Sequence, residues 1–133
     1  MKQISLIVFL LLTNNSYASD LSNEFDRCMK SAGTNRNFGT CTEKEMSYQE
    51  KMLTKAWSDI SKEIKEISLN AYNELLTEQR LWIKYKDSAC NYFLAENDGA
   101  LAFGQEGTYL QYGSCKAGII AERVKYLQNT LPR

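Results

Sequence analysis

Residues 74–90, ELLTEQRLWIKYKDSAC, contain no proline or glycine and consist mostly of residues that tolerate a helix. Their bulky apolar members recur mostly at steps of three, four or seven, which predicts a helix with one broad buried face. Trp82 is the largest residue on that face, and Cys90 ends the segment as a candidate for a covalent link to a later part of the chain. We therefore expect the remaining helices to pack around this one.

Residues 1–18 have the features of a secretory signal peptide. Lys2 supplies a positive start, residues 4–12 form an apolar run, and Ala18 ends a cleavage site of small residues. The run is too short to span a bilayer as a helix. We expect cleavage after Ala18 and a periplasmic or secreted protein that has no membrane span, with residues 19–133 forming a single helical domain.

The charge of the chain is balanced, with 16 basic and 16 acidic residues. Because Lys2 leaves with the signal peptide, the mature protein has one more acidic than basic residue. Proteins that bind nucleic acids need a concentration of lysine and arginine on one surface. The sequence offers no such stripe, so we do not expect a nucleic-acid partner.

The protein has four cysteines, all of them in the exported part: Cys28, Cys41, Cys90 and Cys115. An even number in an oxidising compartment predicts two disulfides, for which three connectivities are possible. The local pairing of the first two and of the last two is the one that we expect peptide mapping to find. A zinc site of four thiolates is the alternative, but the close CxxC pairs typical of structural zinc are missing.

The pattern of apolar residues predicts an all-α fold. A short helix is expected over residues 21–30, and a long one begins near Thr42, where acidic residues follow a candidate cap. A short connection at residues 68–71 predicts that the next long helix returns antiparallel. Helical spacing resumes near Ser114. We expect a small bundle of two long antiparallel helices, with short N-terminal and C-terminal helices, linked by two disulfides.

Several kinds of catalytic and cofactor chemistry have no residues to support them. The chain contains no histidine, so it lacks the most frequent general base, histidine metal ligands and Ser-His-Asp triads. It also lacks a glycine-rich phosphate-binding loop. We expect a protein that is not an enzyme and that uses no metal or cofactor.

The segment between Asp87 and Cys115 has an unusual composition. It holds four acidic residues, no lysine or arginine, and several aromatic residues among glycines. Acidic groups steer a basic partner, and aromatic side chains supply contact area at low entropic cost. Phe93 and Phe103 either fill a small core or join this surface. The residues that we expect to contact a partner are Glu96, Asp98, Gly99, Glu106, Tyr109 and Tyr112.

Residues 79–90, QRLWIKYKDSAC, resemble the LprI-type lysozyme-inhibitor family of exported bacterial proteins, whose pattern is roughly QR-x-W-x-x-Y-R-D-x-x-C. The similarity continues through a loop at residues 98–100, Cys115, Arg123 and Leu127, and covers most of residues 25–127. Lys86 stands where the family usually has arginine, and lysine does not form the same two-pronged pair with a carboxylate. Ala100 replaces the usual serine of the loop.

The resemblance implies that the protein binds and inhibits lysozyme-like enzymes or other hydrolases of the cell wall. Two alternatives remain, namely an immunity protein against a cell-wall-degrading toxin and a factor for envelope stress or assembly. A structural role, in the helix core or in an ion pair at its rim, is expected for six residues: Trp57, Arg80, Trp82, Tyr85, Asp87 and Arg123.

Overall fold

The computed structural model of the protein describes residues 21–95 and 104–131, and all regular secondary structure in these two ranges is helical. The prediction of an all-α fold with two disulfides is therefore confirmed. The expected signal peptide lies outside the described residues. The helices are α1 (Asn23–Ala32), α2 (Asn35–Ile67), α3 (Leu69–Ser88), a 3-10 helix (Asn91–Leu94) and α4 (Gly104–Gln128).

Two residues separate α1 from α2. Gly33 has a φ of 69°, a left-handed conformation that ends α1 and that glycine adopts without steric cost. The Thr34 side chain then accepts a hydrogen bond from the Asn37 backbone N–H and caps α2. We had expected a longer turn and a helix beginning near Thr42, but α2 is already helical from Asn35.

A single residue, Ser68, separates α2 from α3. Its backbone N–H donates to the Ile64 carbonyl, and its side chain accepts from the Ala71 N–H. Ser68 thus ends one helix and caps the next, so that the chain reverses direction within one residue. This agrees with the prediction of a short connection.

The contacts along the helices define an up–down–up arrangement. The ends of α2 and α3 that adjoin their connection meet where Lys65 lies over the Tyr72 ring. The far end of α3 meets the middle of α2, where Lys86 approaches Glu50, so α3 runs antiparallel to α2. Gly113, early in α4, packs on Thr42 of α2, and Leu127 and Ile60 share one buried cluster further along. Helix α4 therefore runs parallel to α2.

Most of the hydrophobic core lies between α2 and α4. Ile120 and Leu127 of α4 are its largest fully buried side chains. Trp57 and Trp82 are half-buried and pack against the edge of this cluster. The core is therefore organised around the contact of α2 with α4, and not around α3, as the sequence had led us to expect. Its buried members are Leu53, Ala56, Ile60, Ile64, Leu75, Ile120, Val124 and Leu127.

The C-terminal helix is longer than predicted. It has 25 residues and begins at Gly104, ten residues before Ser114. The glycines in its first turns favour a loop when they are read from the sequence. In the structure, a Cβ at Gly113 would lie 2.5 Å from Thr42 Cγ2, so the close approach of α2 explains the glycine there.

Three residues of α3 that we had assigned to the structural core have exposed side chains: Arg80, Tyr85 and Asp87. The face of α3 that meets the bundle is a narrow stripe at steps of four, three and four residues, formed by Leu75, Gln79, Trp82 and Lys86. A single stripe of this width leaves the flanking positions in solvent. The expected place in the core was therefore wrong for Arg80 and Tyr85, whereas Asp87 lies at the rim, with its carboxylate 3.6 Å from the Lys86 ammonium.

No helix within the described residues is long and apolar enough to cross a membrane.

Candidate partner-binding surface

The acidic and aromatic segment begins and ends at one end of the bundle, where Cys90 is bonded to Cys115. After α3 the chain turns sharply at Cys90, which has a φ of 69° and is buried. Left-handed conformations are unusual for residues other than glycine, so this turn depends on its surroundings. After this turn the 3-10 helix packs against α4.

Lys116 fixes this end of α4 to the end of α3. The side chain is 7% exposed, and its ammonium donates to the backbone carbonyls of Lys86 and Asp87, the latter at 3.1 Å. The Tyr112 ring centroid lies 5.4 Å from the same nitrogen. Burial lowers the pKa of the Lys116 ammonium, and the nearby Asp87 carboxylate opposes this effect.

The two tyrosines that we had assigned to partner binding differ in their surroundings. Tyr109 lies in the second turn of α4 and is 61% exposed. Tyr112 is half-buried beneath Lys116. Tyr92 of the 3-10 helix is also exposed, with its ring centroid 4.2 Å from that of Phe93. Exposed aromatic side chains thus lie on both elements that flank the loop.

The other predicted contact residues are described less fully. Glu96, Asp98 and Gly99, like Phe103, lie outside the described residues. Glu106 lies in the first turn of α4, and the surroundings of its side chain are not described. The structure thus brings together Cys90 and Cys115, between which the predicted contact residues lie. The positions of Glu96 and Asp98 stay a prediction.

A second polar contact joins α3 to α4 in the middle of the bundle. Arg123 is 7% exposed, and its Nη1 donates to Glu78 Oε1 at 2.5 Å and its Nε to Gln79 Oε1 at 2.9 Å. The guanidinium carbon lies 5.5 Å from the Trp82 ring centroid and 4.7 Å from that of Tyr126. We had expected an ion pair at the rim of the core, and the partner of Arg123 in that pair is Glu78.

Sequence reasoning missed Glu78, Gln79, Lys116 and Tyr126. The only signal was a set of polar residues on helix faces that are otherwise apolar. Lys116 stands beside Cys115 and Ala117 in a buried stretch, and Gln79 lies on the same stripe as Trp82. Periodicity shows that such a residue faces inward, but it does not name its partner on another helix.

The other disulfide joins α1 to α2. Its residues, Cys28 and Cys41, lie beside an open cavity of about 550 Å³. Glu45 is buried there and accepts hydrogen bonds from the Ser22 backbone N–H at 2.9 Å, the Ser22 hydroxyl at 2.5 Å and Gln49 Nε2 at 2.7 Å. Its carboxylate is thus used to hold the start of α1 on α2.

Within residues 21–95 and 104–131, no group of three or more metal-binding side chains comes together.

The described residues form a small all-helical bundle with two disulfides, one of which joins the end of α3 to α4. The family model described as lysozyme inhibitor LprI matches residues 28–127, most of the chain. The protein therefore belongs to the LprI lysozyme-inhibitor family. Neither the search of curated proteins nor that of solved structures found a match.

Proposed function

We propose that the protein binds and inhibits lysozyme-like peptidoglycan hydrolases in the periplasm or outside the cell. Family membership across residues 28–127 is the observation that carries this proposal. An exported location agrees with the two disulfides, which persist in oxidising compartments. The protein would act by binding and not by catalysis, since an inhibitor needs only to occupy the surface of the enzyme.

The contact surface that we propose is the disulfide-closed end of the bundle. Its support is the rigid base below it, where Cys90–Cys115 and Lys116 hold α3 and α4 together, and the exposed Tyr109 beside it. A preorganised base lowers the entropic cost of binding. Tyr109 then supplies contact area, whereas Tyr112 supports the base from below.

The acidic residues of this segment would act mainly on the rate of association. Lysozymes are commonly basic, and a negative surface accelerates encounter with a basic protein in a salt-dependent way. The lysozyme cleft itself contains two catalytic carboxyl groups, so an unpaired acid pressed against them would be repelled. We therefore propose that Glu96, Asp98 and Glu106 lie on the rim of the contact, with Gly99 nearest the cleft.

The test is inhibition of cell-wall lysis by a panel of lysozymes, at low and at moderate salt. The variant Glu96→Gln, Asp98→Asn, Glu106→Gln should associate more slowly, with an unchanged melting temperature. The matched control is Glu63→Gln, Glu66→Gln, Glu74→Gln, which removes the same charge from exposed positions near the opposite end of the bundle. Tyr109→Ala should instead accelerate dissociation, because it removes contact area and leaves the charges that attract a basic partner unchanged.

Two results would contradict these proposals. If the oxidised protein at tens of micromolar inhibits no lysozyme of the panel, the inhibitor function is rejected. If the triple variant at the loop inhibits as well as the wild type and associates as fast as the control, the contact surface lies elsewhere on the molecule.

A further inference from the structure

We propose that Lys116 is a positioning residue, which sets the orientation of the first turns of α4 and thereby of the surface around Tyr109. The effect of Lys116 on lysozyme binding rests on the proposed function. The structural role concerns the free protein alone and is tested separately.

The geometry places Lys116 where the end of α3 needs a donor. The last carbonyls of an α-helix have no partner within the helix, and a positive charge is favourable beside them. The Lys116 ammonium donates to two of these carbonyls, those of Lys86 and Asp87. An ammonium has three N–H donors, and the Tyr112 ring lies in cation–π range at 5.4 Å.

Burial of the Lys116 ammonium costs free energy unless other polar groups replace its hydration. A lysine that is 7% exposed loses most of its hydration, so the carbonyls and the ring must replace the lost water. Displacement of α4 from the end of α3 would leave the ammonium without these acceptors and the Lys86 carbonyl without this donor, whereas the Asp87 carbonyl would keep only the Asn91 side-chain amide, at 3.2 Å. The contact therefore resists rotation and sliding of α4 against α3.

The neighbouring disulfide does not supply the same restraint. Cys115 links α4 to Cys90 at a single point, which by itself does not fix how the start of α4 is rotated relative to α3. Lys116 adds a second point of attachment, on the helix α3 itself. Tyr109 precedes Lys116 by seven residues, about two turns along the same side of α4. A change in the orientation of α4 at Lys116 would therefore also move Tyr109.

Lys116→Met tests this role, because methionine retains much of the apolar stem and removes the donors. The matched control is Arg123→Met, which removes the other buried cation of α4 that contacts α3, two turns further on. Amide hydrogen exchange is measured on the oxidised free proteins. For Lys116→Met we expect exchange about tenfold faster in peptides that cover residues 86–95 and 107–113, as for loss of a charged hydrogen bond. Peptides from residues 53–67 should be unchanged.

The control should show the opposite distribution. Arg123→Met should accelerate exchange in residues 75–82 and 120–127, where its partners lie, and leave residues 107–113 as in the wild type. In the lysozyme assay, Lys116→Met should dissociate about tenfold faster with an unchanged association rate, and Arg123→Met should stay within about twofold. If Lys116→Met does not fold, Lys116→Gln serves as the second variant, with the same expected direction of change.

The proposal is overturned if the Lys116 variant accelerates exchange equally in every helix, because the residue then contributes only general stability. Unchanged exchange in residues 107–113 would overturn it as well. A wild-type protein that binds no lysozyme would reject the proposed function, and the exchange data would still decide the role of Lys116.

Discussion

At the scale of single residues, the contact between α3 and α4 depends on two buried cations. Lys116 and Arg123 are seven residues apart on α4, and each has hydrogen-bond partners on α3 and lies over a tyrosine ring. A buried charge is tolerated only when such partners replace its hydration. Polar pairing thus joins α3 to α4, in addition to the apolar packing of Leu75 and Trp82 on the core.

Trp82→Ala should lower the free energy of unfolding by about 2–3 kcal/mol, somewhat less than for a fully buried tryptophan. The ring is half-buried, packs on the core and lies under the Arg123 guanidinium, so its loss opens the edge of the core. Urea unfolding measures the change. Leu81→Ala is the control, because this neighbouring side chain is 62% exposed and should cost less than about 0.5 kcal/mol. Equal effects of the two substitutions would contradict the assignment of Trp82 to the edge of the core.

Tyr126→Phe should reduce the loss of stability at alkaline pH. Burial, and then the hydrogen bond that the phenol donates to Glu78 Oε2 at 3.0 Å, raise the pKa of Tyr126 above its ordinary value of 10.0. A pKa that is higher in the folded state adds stability that is fully present below pH 10 and is lost as the pH rises through the folded-state value. The urea midpoint of the wild type should therefore fall more steeply than that of Tyr126→Phe as the pH rises above 10. Parallel curves would show that the phenol does not contribute.

At the scale of helices, small residues allow α2 and α4 to approach closely. Ala117 and Ala121 of α4 are almost fully buried, as is Ala56 of α2. Gly113 continues this face toward the start of α4, where Thr42 packs on it. The length of α4 therefore depends on the close contact with α2, which outweighs the low helix propensity of its glycines.

Gly113→Ala and Gly118→Ala should have opposite effects on stability. A Cβ at Gly113 would lie 2.5 Å from Thr42 Cγ2, so we expect a loss of about 1–3 kcal/mol, as for an overpacked core. No atom lies within 4 Å of a Cβ at Gly118, so alanine there should add about 0.5–1 kcal/mol through helix propensity. Thermal and urea unfolding compare the two variants. If Gly113→Ala is also stabilising, the close contact between α2 and α4 is not as described.

At the scale of the whole molecule, both disulfides lie in the half of the bundle that contains the predicted binding loop. Cys28–Cys41 joins α1 to α2, and Cys90–Cys115 joins the residue that follows α3 and its cap to α4. The opposite end is connected by Ser68 alone and exposes Ile67 and Leu69. The covalent links thus strengthen the end at which we expect binding.

Removal of either disulfide should lower the stability by a similar amount, but only the removal of Cys90–Cys115 should weaken inhibition. The links span 13 and 25 residues, which the chain-entropy relation converts to about 3 and 3.5 kcal/mol of stability. The paired alanine variants should therefore lose similar amounts in urea unfolding. Inhibition of lysozyme at 10 °C, where both are expected to be folded, should be weakened by Cys90→Ala/Cys115→Ala and not by Cys28→Ala/Cys41→Ala. If both variants lose inhibition equally, the contact surface does not lie at the loop.

The sequence alone determined the helical class, the local disulfide pairing as the expected one, and the family. These depend on information that is local in the chain: the spacing of apolar residues, the spacing of cysteines and the motif at residues 79–90. It also predicted the short connection between α2 and α3. Helix boundaries were less predictable, because glycines near Ser114 and Thr42 have propensities that tertiary contacts override.

Only the tertiary structure decided which faces meet. Periodicity identifies a buried face but not the helix that covers it, so the pairing of α2 with α4 and the exposure of Arg80, Tyr85 and Asp87 did not follow from the pattern. The bonds of Lys116 and Arg123 join residues 29 to 45 positions apart. Such partners become neighbours only after three helices have packed, because the geometry of the bundle, and not the local chain, brings them together.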